Sequence, residues 1–185
     1  MPSGAGAAAP AVLVTGGARS GKSRFAEDLV LASGLAPVYL ATGAAGDGEM
    51  GERIADHRAR RGPGWTTVEE GLELAATLAA EARPQCAVLV DCLTLWLSNL
   101  MLAGRDVPAE VAALCALVPR LAGPVVFVTN EVGLGIVPDN ALARAFRDAQ
   151  GRLNQDLARV CGRVVLVACG LPVLLKPTPA ADMRL

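Results

Sequence analysis

Residues 11–23 read Ala11-Val12-Leu13-Val14-Thr15-Gly16-Gly17-Ala18-Arg19-Ser20-Gly21-Lys22-Ser23, and this stretch decides the fold. A short apolar run predicts a strand over Ala11–Thr15. The pattern G-x-x-x-x-G-K-[ST] fills Gly16–Ser23, and a helix is predicted to follow over Lys22–Ala32. In that setting the glycines let the backbone curl so that its N–H groups point inward at phosphate oxygens. The helix adds its positive N-terminal dipole. Lys22 is then placed to bridge the outer phosphates of a nucleoside triphosphate and the Ser23 hydroxyl to ligate Mg2+. A glycine-rich turn with no ligand is the bland alternative, and correct context on both sides disfavours it.

Outward from the loop, short β-branched runs alternate with longer helical patterns, as in parallel βαβ units. Further strands are predicted at Val38–Ala41, Ala87–Asp91, Val125–Thr129 and Val164–Ala168, with Val173–Lys176 as an edge strand after the Gly170–Pro172 turn. They read as unbroken apolar runs, which suits strands covered on both faces. Helices are predicted at Glu49–Arg61, Glu69–Ala82, Leu93–Leu102, Pro108–Leu121 and Asn140–Val160, the last with Asp139 or Asn140 as its cap. The expected architecture is α/β: one P-loop NTPase (RecA-like) domain over residues 11–176, with a mostly parallel sheet and helices on both faces. Residues 1–10 read as a flexible leader and 177–185 as a tail.

Composition agrees. The 185 residues are 52% hydrophobic but only 3% aromatic, with a mean hydropathy of +0.41. Such a chain is not disordered, and its core rests on Ala, Val and Leu. With 17 basic and 18 acidic residues there is no basic excess for coating nucleic acid. The longest apolar run, Val164–Leu175, is too short for a bilayer and contains Gly170 and Pro172, so no membrane partner is expected. The five cysteines are scattered without a CxxC pair and read as reduced core thiols of a cytoplasmic protein.

Three further features bear on chemistry. Ala87–Val90 leads into Asp91, an apolar strand ending in a carboxylate that would be the second anchor for the metal; a helix cap for the next segment is the competing reading. Gly133-Leu134-Gly135 lacks the third glycine of a dinucleotide fingerprint and reads as a turn. His57 is the only histidine. Helical spacing sets Arg53, Arg60 and Arg61 on its face, which favours a neutral ring, the form a nucleophile at phosphorus needs. From spacing alone, however, a solvated histidine on a charged helix is the better reading.

Together these pieces resemble the bifunctional adenosylcobinamide kinase/adenosylcobinamide-phosphate guanylyltransferase family of cobalamin biosynthesis, over roughly Val12 to Lys176. Besides the P-loop, the resemblance rests on Tyr39-Leu40-Ala41-Thr42, Glu49-Met50 with Arg53-Ile54 and His57-Arg58, and Asp91-Cys92-Leu93-Thr94 with Asn99-Leu100. The most selective parts are Thr129-Asn130-Glu131-Val132-Gly133 and the block from Gly135 through Arg144, Phe146-Arg147-Asp148, Gly151 and Asn154-Gln155. The family implies that an NTP (ATP or GTP) phosphorylates adenosylcobinamide. A histidine then takes GMP from GTP and passes it to the new phosphate. His57 falls on the guanylylated position, which reverses the reading from spacing. The resemblance carries nucleotide contacts onto Gly16 to Ser23, onto Thr42, Gly43 and Ala44, and onto Arg58, Ala59, Arg60, Arg61, Glu69 and Asp91. Lys22 joins His57 as catalytic, and Ser23 and Asp91 hold Mg2+. A homotrimer is also implied. For Glu131, an orienting or proton-accepting role and a tight turn that satisfies backbone stand level.

Two other classes compete. A P-loop kinase for another small molecule would leave His57 a bystander. A guanine-nucleotide switch is disfavoured, since no Asn-Lys-x-Asp motif follows a strand and Thr129-Asn130-Glu131 only loosely resembles one.

Overall fold

The computed structural model describes residues 10–43, 62 and 64–177. Along the chain these form β1 (Ala11–Thr15), α1 (Lys22–Ala32), β2 (Ala36–Ala41), β3 (Thr66–Glu69), α2 (Leu74–Glu81), β4 (Cys86–Asp91) and α3 (Leu93–Leu102). Then come α4 (Val107–Leu117), a 3-10 turn (Val118–Arg120), β5 (Val125–Val128), α5 (Ala141–Val160), β6 (Arg163–Ala168) and β7 (Leu171–Lys176). The strands make one sheet in the order β3-β2-β4-β5-β1-β6-β7. Every pairing is parallel except that of β7 with β6.

Alternation along each strand divides the core. On β4, Cys86, Val88 and Val90 face a layer that includes Leu74 and Leu78 of α2, Leu93, Trp96 and Leu100 of α3, Val111 and Leu114 of α4, and Leu153 and Leu157 of α5. Ala87 and Leu89 face the opposite layer, with Ala26 and Val30 of α1. The sheet is thus covered on both sides, which is why its central strands carry no polar alternation. The strand ending in Asp91 stands one strand away from the P-loop strand, with β5 between them. Among the described residues no helix is long and apolar enough to cross a membrane. All five cysteines are free thiols.

Three sequence expectations change. Glu69 does not open a helix: Thr66–Glu69 is a strand on the sheet edge, paired to β2 from Val38↔Thr66 to Ala41↔Glu69, and α2 begins only at Leu74. The turn between them is held by Glu70, whose carboxylate accepts from the amides of Leu72 (2.7 Å) and Glu73 (2.9 Å). The helix expected to reach Leu121 gives way after Leu117 to a 3-10 turn at Pro119, whose missing N–H cannot continue the α pattern. Pro172 sits inside β7, which an edge strand tolerates. The cap reading at Asn140 stands: its side chain accepts from Ala143 N at 2.7 Å. The expected helix at Glu49–Arg61 lies outside the described residues, as do most of the leader and the tail.

Candidate phosphate-binding site

The carboxyl ends of the parallel strands form one edge, where α/β sheets take their ligands. At its centre β1 ends on buried Thr15 and the chain turns through Gly16 at φ 149°. A Cβ at Gly16 would lie 2.3 Å from the Val167 carbonyl oxygen of β6, so only glycine fits this close crossing. Gly17, Ala18 and Arg19 are exposed. The loop returns through Ser20, whose carbonyl accepts from Gly170 N at 2.9 Å, and through Gly21 at φ 98°. No side chain caps the start of α1. Its first-turn amides are therefore available to an anion, as the motif reading expects.

Lys22 is 6% exposed, and its ammonium donates to the Gly17 carbonyl oxygen at 2.5 Å. Burial holds its pKa below the usual lysine range, while the nearby Cys92 and Asp91 pull it upward. A cation held at the loop beside a carboxylate answers the charge of a polyphosphate with its metal. Ser23 follows, half-buried.

The neighbouring half of the edge collects the other expected residues. Strand register aligns Glu69, Ala41 and Asp91 across β3, β2 and β4. Asp91 ends its strand and does not occupy the cap position of α3, which falls to Cys92. The Asp91 carboxylate accepts from the Tyr39 hydroxyl at 3.2 Å, and the Tyr39 ring meets Trp65 edge to face. Thr42, fully buried, donates to the Cys92 carbonyl oxygen at 2.7 Å. Asn99 donates to the carbonyls of Thr42 (2.7 Å) and Gly71 (3.2 Å). Gly43 lies over α3, where a Cβ would sit 2.9 Å from Leu95 Cδ1. His57, Ala44 and Arg58, Ala59, Arg60 and Arg61 lie outside the described residues.

The donor set suits Mg2+. The described residues hold no cluster of three or more His, Cys, Asp or Glu of the kind a fully protein-ligated metal needs. The expected ligands, one hydroxyl (Ser23) and one carboxylate (Asp91), would suit an ion that keeps its waters and shares the phosphates of a nucleotide.

Residues outside the expected contact set flank the loop. Thr15 donates to Glu131 Oε1 at 2.8 Å, and Glu131 N donates to the Gly16 carbonyl oxygen at 3.1 Å. This counts against Glu131 as a tight turn that satisfies backbone, since its carboxylate engages side chains and not its own turn. The visible signal was a threonine closing each of two apolar strands, at Thr15 and Thr129, on the ligand edge.

Comparison with known proteins gives one consistent result. A family model described as cobinamide kinase / cobinamide phosphate guanyltransferase matches residues 12–175. The bifunctional adenosylcobalamin biosynthesis protein CobP of Pseudomonas aeruginosa is 52% identical over 169 residues, covering 90% of this chain and 98% of the relative. The CobU proteins of the same description from Salmonella typhimurium and Escherichia coli are 42% and 43% identical, each over 89% of this chain and 99% of the relative.

Proposed function

Because the chain belongs to the cobinamide kinase / cobinamide phosphate guanyltransferase family, we propose that it runs both reactions on the phosphate cradle at Gly16–Ser23. In the first, the hydroxyl oxygen of adenosylcobinamide's aminopropanol arm bonds to the γ-phosphorus of ATP or GTP. The bond to the β–γ bridging oxygen breaks, the nucleoside diphosphate leaves and the alcohol proton passes to solvent. In the second, a ring nitrogen of His57 bonds to the α-phosphorus of GTP and pyrophosphate departs. An oxygen of adenosylcobinamide phosphate then displaces His57, giving adenosylcobinamide-GDP.

The observation that carries this reading is the placement of Lys22, buried in the loop and within electrostatic reach of Asp91 at the end of β4. Backbone amides of the loop and of the first turn of α1 bind the phosphates, and Lys22 takes charge from the outer ones. Ser23 and Asp91 would hold Mg2+ brought with the nucleotide, and the ion would supply further charge neutralisation. Thr42, Gly43 and Glu69 extend the site along the edge, Ala44 follows Gly43 in sequence, and Arg58, Arg60 and Arg61 flank His57 in sequence and hold the departing pyrophosphate. Division into two displacements gives each step a good leaving group and spares the site from aligning two anions at once. We place the enzyme in the cytoplasm as a homotrimer, which sedimentation at micromolar concentration tests.

The test is Lys22→Ala with both activities assayed separately. Each is expected to fall by on the order of 10²–10³. Retention of either at a near-normal rate would mean that the two reactions use separate nucleotide sites.

A further inference from the structure

Behind the cradle lies a buried polar network that the two reactions above do not use. Thr129 donates to Asn154 Oδ1 at 2.7 Å, and Gln150 Nε2 donates to Thr129 Oγ1 and to Asn154 Oδ1, each at 2.9 Å. Asn154 Nδ2 in turn donates to the Asn130 carbonyl oxygen and to Glu131 Oε1, both at 3.1 Å. Thr129 and Gln150 are fully buried and Asn154 nearly so. Three polar residues within a core are costly unless each is matched, so their presence calls for a role that apolar packing would not fill. Gln150 Oε1 is buried without a partner, a penalty the network carries in addition.

The network converges on one residue. Glu131 holds the last side chain of β1 through its carboxylate (Thr15) and the first carbonyl of the P-loop through its amide (Gly16). On its other flank Gly16 is pressed against Val167 of β6. The exit of the P-loop from the sheet is therefore fixed from both sides, and Asn154 bolts one of those sides to the 20-residue helix α5.

We propose that Glu131, backed by Asn154, is a positioning residue that sets the geometry of the phosphate cradle for both half-reactions. It does so through hydrogen bonds accepted on Oε1 and not by taking a proton from substrate. Both donors to that oxygen are neutral, and an amide oxygen can accept them equally well. The proposal rests on the reading of Gly16–Ser23 as the phosphate site.

The test measures GTP binding by calorimetry, together with KM and kcat for each reaction, in Glu131→Ala, Glu131→Gln, Thr15→Val and Lys22→Ala, with thermal unfolding of each. Glu131→Ala is expected to raise the GTP Kd, and KM in both reactions, about tenfold in parallel while the protein stays folded at the assay temperature. Glu131→Gln recovers most of that loss. Thr15→Val, which deletes only the hydroxyl and serves if Glu131→Ala does not fold, raises Kd about threefold. Loss of the kinase reaction alone in Glu131→Gln would overturn the proposal in favour of proton acceptance. A lowered unfolding temperature with unchanged Kd in Glu131→Ala and Thr15→Val would reduce the network to a structural one and overturn it equally. An unchanged Kd in Lys22→Ala would overturn the phosphate site itself, and the inference with it.

Discussion

On the P-loop half of the ligand edge, most of the buried side-chain bonds run from side chain to side chain. Thr15, Glu131, Asn154, Thr129 and Gln150 form one connected set. On the Asp91 half, apart from the single bond of Tyr39 to Asp91, side chains hold main-chain carbonyls one by one: Thr42 on Cys92, Asn99 on Thr42 and Gly71, Trp96 on Leu72. A connected buried set shares its penalty, because removing one member leaves several others unmatched where no water can replace them. A clamp on a carbonyl fails locally, and the carbonyls of half-buried Gly71 and Leu72 regain part of their loss from solvent. The first arrangement suits a cradle whose amides must converge on one group of phosphates. The second suits an edge that meets different parts of its ligands in turn.

Paired substitutions would break this contrast if it is wrong. Thr129→Val keeps the shape of a fully buried side chain but removes the hydroxyl that Gln150 and Asn154 share, and is expected to cost about 2 kcal/mol of stability. Asn99→Ala, on the other half, is expected to cost about 1 kcal/mol. Urea midpoints at constant m-value compare them, and equal costs would erase the distinction between shared and separate penalties.

A smaller effect, confined to alkaline pH, sharpens the same comparison. Two thiols are buried at opposite edges of the sheet, Cys92 on the Asp91 half of the ligand edge and Cys161 just before β6 at the amino ends of the strands. Burial pushes Cys92 up to about 11 and Cys161 up to about 12, against an ordinary value of 9.0. A folded pKa above the unfolded one means that the stability is whole below pH 9 and is lost as pH rises toward the folded values, since the unfolded chain gives up its protons first. Cys92→Ala and Cys161→Ala should each flatten that decline in a urea titration carried across this range. Only Cys92 neighbours Lys22, so only its replacement should also change the pH dependence of GTP binding.

How far the sequence could be read differs between the halves for the same physical reason. The segment from β1 through α1 was legible to the residue, because strand, glycine loop and helix each leave a local pattern. So was Asn140, whose cap lies three residues from the amide it serves. Strand β3 was not, because Thr66–Glu69 is short and half-exposed on an edge, so it lacks the apolar run that marked the central strands. The buried network was invisible for another reason. Its bonds span from 4 residues, between Gln150 and Asn154, to 116, between Thr15 and Glu131. A polar pair at i and i+4 on a helix does not announce whether it faces solvent or sheet. The resemblance pointed to the block around Glu131 without saying what its carboxylate touches.

The central claim is that a triphosphate seated in the loop beginning at Gly16 delivers its α-phosphorus to His57. GTP labelled on the α-phosphate tests it most directly. Denatured wild-type protein should retain label that is stable to base and released by acid, as a phosphoramidate is, and His57→Ala should retain none. Label persisting at the wild-type level in His57→Ala would contradict the account.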